Sequence, residues 1–308
     1  TLLGMVLGIG ALVLPLAFGE WNNGAKNWVQ VPLLGSFQPS EIVKLSVVLA
    51  LAYFFSAHRT VWQMMPALVF AAACLLLLMM QRDLGTALIY YLTTLVLFYV
   101  ACGNVPLTVV GLGGGVGAAV LGYQMFAHVK VRVAMWRNPW SDPTDKGYQI
   151  IQALLAIGSG GLFGVGLGQG TPEKIPAYYN DFIFAVICEQ FGVIFGSLVL
   201  AMYVILILRG VSIASAARSS FHALLAMGAT VMLGIQTFII IGGVLKLIPL
   251  TGVTMPFVSY GGTSLVSCMG LIGLIQGVAS VNQDDLAYDY EISHTLQEEA
   301  MMPEADRE

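Results

Sequence analysis

Asp181 stands at the head of the apolar run "DFIFAVICEQ", an acid at the lip of a segment suited to lipid. Glu189 follows eight residues later, a little over two helical turns below it on the same side. Burying an ionisable group at membrane depth costs several kcal/mol, so each such group is a candidate functional residue. A carboxylate at the lip could accept a proton from a hydroxyl, or it could simply cap the helix that follows. A protonated, hydrogen-bonded structural role is the better reading of Glu189.

Other charges fall at the mouths of apolar runs. Glu41 and Lys44 are three residues apart, share one helical face and can pair, either as a neutralised structural unit or as a substrate contact. Asp83 in "QRDLGT" sits in a tight helical hairpin and suits an N-cap, which does not exclude a further role. Lys130 and Arg132 could snorkel at the interface, while the guanidinium fork of Arg132 also suits phosphate. Lys246 ends its apolar run, where a cation gains from the helix dipole.

The elements that must position these groups follow from composition. The chain has 308 residues, 57% apolar and 10% charged, and a mean hydropathy of +0.82, far outside the soluble range. This is an all-α, polytopic membrane bundle, because a backbone in lipid must satisfy its own hydrogen bonds. Eight runs approach the length of a spanning helix: Leu2–Phe18, Glu41–Phe55, Met65–Met80, Thr86–Ala101, Val105–Phe126, Asp181–Leu208, Phe221–Leu245 and Thr263–Val281. The four cysteines lie in apolar runs without metal-ligand spacing and read as small core residues. Residues 1–281 form the membrane domain, with a long loop at 127–180.

That loop carries Lys130, Arg132, Arg137, Lys146 and Lys174. Its middle, "GYQIIQALLAIGSGGLFGVGLGQG", predicts an interfacial or re-entrant helix followed by a glycine-rich turn. The glycine spacing does not match a dinucleotide fingerprint. From Asn282 onward nine acids stand against Arg307, which predicts a disordered aqueous tail over 282–308. The remaining residues hold twelve Lys and Arg against eight Asp and Glu. Counting charge in the short loops does not decide orientation. The first residue is Thr, with no basic segment before the first apolar run, so the chain is expected to begin inside a longer protein.

Five stretches in order, "GAKNWVQVPLLGSFQPSEIVKL", "QRDLGTAL", "DKGYQIIQALLAIGSGGLFGVGLGQG", "NDFIFAVICEQFG" and "PLTGVTMPFVSYGGTS", resemble the SEDS (shape, elongation, division and sporulation) peptidoglycan glycosyltransferases typified by FtsW and RodA. The resemblance implies a ten-helix fold lacking its first two helices here, a cytoplasmic tail, and a long loop facing outside the cell. It implies polymerisation of lipid II in the cytoplasmic membrane, beside a class B penicillin-binding transpeptidase and divisome or elongasome proteins, with no nucleic-acid partner. It places the catalytic carboxylate on Asp181. For the head group it points to Arg132, Lys44, Glu41, Lys174, Asp83 and Ser259, with Lys26 as a substitute for a family arginine that is Asn27 here. Arg82, Asn180 and Gln190 depart from the family pattern. Metal dependence is not readable, and a divalent cation, Mg or Mn, stays open. Two other readings remain: a lipid II flippase or transporter, and a non-catalytic scaffold that activates the transpeptidase.

Overall fold

With no water in the lipid core, each long apolar run closes its own backbone bonds as a helix. The structure, a computed structural model, describes residues 1–22, 25–31, 35–56 and 61–301. In chain order the helices are α1 (Leu2–Phe18), α2 (Pro39–Ser56), α3 (Val61–Met80), α4 (Leu84–Cys102), α5 (Val105–Met125), α6 (Ala127–Arg137), α7 (Tyr148–Gly160), α8 (Ile183–Ala216), α9 (Ser220–Val244) and α10 (Gly262–Met301). Among the described residues seven of them, α2–α5 and α8–α10, are long and apolar enough to cross a membrane, and α1 is an apolar helix of 17 residues. The chain is an all-α polytopic membrane protein.

Packing sorts the helices into centre and rim. In α9, 72% of the most apolar window is buried, and the helix packs on α2, α4, α8 and α10; α5, whose one buried residue is Gly122, rests on α4 and α6. The up-and-down order sends the described residues between α1 and α2, together with residues 81–83, 126–182 and 245–261, to one end of the bundle. Side chains tie these connections together there, as in Asn27 to Asp83, Arg132 to the Thr251 carbonyl, and Ser259 to the Asn180 carbonyl. Every candidate charge named above except Glu189 belongs to this end or to the first turns beneath it.

Two features depart from expectation. Three short strands, β1 (Glu20–Asn22), β2 (Ala25–Val31) and β3 (Gly35–Phe37), form a small antiparallel sheet, with Glu20 opposite Trp28 and Gln30 opposite Ser36. The β-branched and aromatic residues of "WVQV" are the strand signal, short enough to be lost between apolar helices. The second is α10, which runs for 40 residues and stays helical through the stretch expected to be disordered. Leu, Ala, Gln, Glu and Met make up ten of residues 282–301 and favour helix. Asn282 donates to the Ile213 carbonyl at 3.0 Å and Asp289 pairs with Arg218, so its start is also tethered. Residues 302–308 lie outside the described part.

The long loop resolves into α6, a 3-10 turn at Pro139–Ser141, α7, a glycine-rich segment and a second 3-10 turn at Pro172–Lys174. The helix followed by a glycine-rich turn agrees with the sequence expectation. The glycine-rich segment also mends a break in α8. At Gly192 the backbone turns to φ 84°, which opens the helix. The freed groups find partners in the glycine segment, with Val165 N–H on the Glu189 carbonyl at 2.9 Å, Gly166 N–H on Gln190 at 3.0 Å and Val193 N–H on Gly161 at 2.9 Å. A Cβ at Gly192 would lie 2.2 Å from the Leu162 oxygen. Gly192→Ala is therefore expected to cost about 3 kcal/mol, at the high end for single substitutions, through steric clash and left-handed backbone strain together. Thermal unfolding in detergent checks it, and an unchanged midpoint would refute this account of the break.

Candidate functional site

The turn Ala177–Asp181 delivers Asp181 to the mouth of α8, with Asp181 N–H donating to the Ala177 carbonyl at 3.2 Å. Its carboxylate does not cap that helix, since the N-cap of α8 is Phe182, with no side-chain capping bond. Arg132 reaches the same place from α6, anchored by Nη1 on the Thr251 carbonyl at 2.9 Å. Gly252, at φ 72°, separates the two side chains. A Cβ there would sit 3.4 Å from Asp181 Oδ2 and 3.9 Å from Arg132 Nη2. Only glycine keeps that space open at a backbone angle disfavoured for other residues. Burial pushes the Asp181 carboxyl up to about 6, and the nearby Arg132 guanidinium opposes the shift. Burial likewise lowers Arg132, against the favourable pull of Asp181 and Asp83.

Asp83 and Ser259 hold the surroundings in place. Asp83 caps α4 by accepting the Thr86 amide at 3.2 Å, as the hairpin reading anticipates, and its other oxygen accepts from Asn27 at 3.1 Å, Gln38 at 3.1 Å and Ser40 at 3.4 Å. It thereby joins β2, α2 and α4. Lys26 Nζ is spent on the Leu16 carbonyl at 2.7 Å. Ser259 Oγ donates to the Asn180 carbonyl at 2.6 Å and accepts the Met255 amide at 2.8 Å, while Tyr260 N–H binds the Tyr179 carbonyl at 2.8 Å. The "SYGG" turn thus grips the two residues before Asp181. Ser259→Ala removes both bonds, and a loss of about 1–3 kcal/mol is expected in thermal unfolding. No loss would mean that the grip does not order this turn.

Glu41 and Lys44 pair as their spacing implies, at 2.7 Å, but inside the bundle. Lys44 is 0% exposed and also donates to Gln236 Oε1 at 2.8 Å. Gln236 passes the chain to the Thr254 carbonyl at 2.8 Å, and Ser267 donates to Glu41 at 2.9 Å. Lys174 is exposed in its 3-10 turn. Glu189, 5% exposed, accepts the Thr171 amide at 3.0 Å and so fixes the start of the segment that leads to Asp181. Sequence reading missed Gln236, Thr251 and Gly252. Gln236 had left a signal, an amide within an apolar run; the other two act through a carbonyl and an absent side chain, which no residue type announces.

Beside the charges opens an apolar cleft of about 560 Å³. Its walls include Leu75 and Met79 of α3, Tyr91 of α4, Gly114 of α5 and Val133 of α6, and Arg132 is the charged group on its lining. Because α5 is loosely packed, the cleft lies at the rim of the bundle, where lipid would have access. Among the described residues no three His, Cys, Asp or Glu side chains are grouped to hold a metal ion. Chemically the arrangement offers a single partly buried carboxylate, a guanidinium a few ångströms away, and an apolar cleft with that guanidinium on its wall.

Known proteins share this sequence and fold. Peptidoglycan glycosyltransferase RodA of Mycobacterium tuberculosis is 36% identical over 299 residues, covering 90% of this chain and 63% of the relative. Stage V sporulation protein E of Bacillus subtilis is 38% identical over 280 residues, covering 87% and 75%. The chain thus spans under two thirds of the length of the mycobacterial relative. Among solved structures, a chain of a peptidoglycan synthase complex superposes with a TM-score of 0.75 at 28% identity, covering 91% of this chain and 80% of that one. The rod shape determining protein RodA of Thermus thermophilus gives 0.63 at 29% identity, covering 91% and 77%. Residues 1–284 match the cell cycle protein family of FtsW, RodA and SpoVE, and the chain belongs to that family.

Proposed function

We propose that this chain is the membrane core of a peptidoglycan glycosyltransferase that polymerises lipid II at the outer face of the cytoplasmic membrane. The observation that carries this reading is Asp181 beside Arg132, with Arg132 on the wall of an apolar cleft. A prenyl chain would lie in the cleft and bring its diphosphate to the guanidinium, while the sugars stay at the surface. Asp181 takes the proton of the attacking sugar hydroxyl. As the new C–O bond forms at the anomeric carbon, the bond from that carbon to the diphosphate oxygen breaks, and its electron pair leaves with the diphosphate. Arg132 meets the charge that develops on this leaving group. A carboxyl near 6 suits a general base, being ionised at neutral pH yet more basic than an ordinary aspartate.

The other candidates take supporting roles. Asp83, Ser259 and Lys26 position the loops, and the Glu41–Lys44 pair locks α2 to α9 and α10 beneath the site. Exposed Lys174 is available to the acidic head group as it arrives. Since the described residues offer isolated carboxylates rather than a ligand set, a Mg or Mn ion would be carried chiefly by the diphosphate itself. The family relatives named as glycosyltransferases and the match to a synthase complex support both the activity and a class B transpeptidase partner. Transport fits less well, because Lys44 lies only about 8 Å into α2 at 1.5 Å per residue and the charges do not step through the bilayer.

The deciding experiment supplies the purified full-length protein and its transpeptidase with fluorescent lipid II. A glycan ladder on a gel is expected. Translocation of the lipid in vesicles with no ladder would replace this reading with the flippase; neither activity, with the transpeptidase stimulated, would leave a scaffold.

A further inference from the structure

One side chain joins the buried Glu41–Lys44 pair to the loops that carry the site. Gln236 of α9 is buried, and its amide acts in two directions: Oε1 accepts from Lys44 Nζ at 2.8 Å, while Nε2 donates to the Thr254 carbonyl at 2.8 Å. An amide can serve a cation and a carbonyl together, whereas a carboxylate only accepts and an apolar side chain does neither. Thr254 is tied a second time, its hydroxyl sharing a hydrogen bond with Ser264 of α10 at 2.6 Å. Thr251–Thr254 lies outside helix and strand, so side chains rather than a backbone ladder hold its carbonyls. Gln236 holds Thr254 at one end, and Arg132 Nη1 binds the Thr251 carbonyl at the other, at 2.9 Å.

Three residues reach at most about 10 Å, so this segment is a short strut between the two bonds. From the side it is wedged by α4, where a Cβ on Gly85 would lie 2.6 Å from Val253 Cγ1 and 3.2 Å from the Thr251 oxygen. Gly252, inside the strut, is the residue that separates Arg132 from Asp181. Movement of the strut at Thr254 therefore displaces both the carbonyl that anchors Arg132 and the backbone that spaces it from the carboxylate. We propose that Gln236 is a positioning residue for the glycosyl transfer, holding the Thr251–Thr254 strut so that Arg132 and Asp181 keep their spacing. This rests on the glycosyltransferase reading and deepens it. Misplacing a reacting group by about 1 Å can cost about 10²-fold in rate, so a bond one layer beneath the site matters to the chemistry.

The test places Gln236→Met in the full-length protein, beside Thr237→Val as the match for disturbance of α9, since the Thr237 hydroxyl bonds within its own helix, to the Leu233 carbonyl at 2.8 Å. Titration of Asp181 in the folded state is read without turnover, from the difference in unfolding midpoint between each protein and its Asp181→Asn counterpart across pH. Initial rates with fluorescent lipid II and the transpeptidase give kcat and KM. Arg132 opposes the rise that burial imposes on Asp181, so a loosened strut moves the titration upward from about 6. That upward move is expected in Gln236→Met, with kcat down about 10- to 100-fold and KM within about threefold, while Thr237→Val titrates as wild type does. A folded Gln236→Met protein whose Asp181 titrates as in wild type would overturn the proposal and leave Gln236 as a partner of Lys44. Should Gln236→Met fail to fold, it is remade on Glu41→Leu with Lys44→Met, where Gln236 has no lysine to serve. Against that background the titration must again move upward; no movement, or unfolding there too, overturns the proposal. If wild type polymerises lipid II while titration and kcat hold still in Gln236→Met, the strut falls and the glycosyltransferase stands. If the titration moves while wild type makes no glycan, the strut stands and the activity falls.

Discussion

Asp181→Asn is expected to lower lipid II polymerisation by about 10²–10⁴-fold, the usual worth of a positioned general base, while leaving the fold intact. The amide preserves shape and cannot take the proton. Because Asp181 makes no capping bond, losing the charge removes no hydrogen bond seen among the described residues. The variant should be no less stable than wild type, and more stable at neutral pH. The sign follows from linkage: a carboxyl raised in the folded state favours folding when protonated, and that contribution is lost as pH rises through about 6. Activity runs the opposite way. The base works only when ionised, so the wild-type rate should climb with pH through about 6 and level off above it. Initial rates across this range, beside unfolding midpoints for both proteins, make the check. An Asn variant that polymerises at the wild-type rate would remove Asp181 as the base.

Lys44→Met should be the most damaging substitution for stability. Lys44 is 0% exposed and supplies the donors that satisfy Glu41 at 2.7 Å and Gln236 at 2.8 Å. Methionine fills the volume but leaves Glu41 with Ser267 alone in a low-dielectric interior. Breaking a buried pair from one side costs about 3–5 kcal/mol, a large part of the stability of a typical protein. Replacing both partners, Glu41→Leu with Lys44→Met, should recover most of the loss, because the desolvation cost of the two charges disappears along with their attraction. Thermal unfolding of the two single variants and the double variant forms the cycle. If Lys44→Met alone shifts stability by under about 1 kcal/mol, the pair does not hold α2 against α9 and α10.

These expectations differ in where they could be read. Spanning helices follow from run length and the absence of charge, and the positions of the acids follow from identity alone, so both were legible. The i,i+3 spacing of Glu41 and Lys44 was enough to pair them, because helical geometry is local. Whether that pair faced a substrate or the interior was not, since the answer depends on α9 and α10, some two hundred residues away. Asp83 was recognisable as a cap for the same local reason, while its bonds to Asn27, Gln38 and Ser40 were not. Asp181 shows the opposite case: position made it a plausible cap, and only the actual path of Ala177–Phe182 shows that its carboxylate is free of that duty.

By itself, then, the sequence determined that this is a helical membrane protein of the FtsW, RodA and SpoVE family with an acid at the head of its sixth long apolar run. Hydropathy and motif order are properties of the chain, and they survive any arrangement of the helices. Tertiary structure alone decided that Arg132 faces Asp181 across Gly252, that Gln236 completes the Lys44 network, that the glycine-rich segment repairs the break at Gly192, and that Arg132 lines an apolar cleft. Each of these depends on a distance between segments remote in sequence. Such distances are set by how the helices pack and by which backbone groups lack partners, and residue type alone encodes neither.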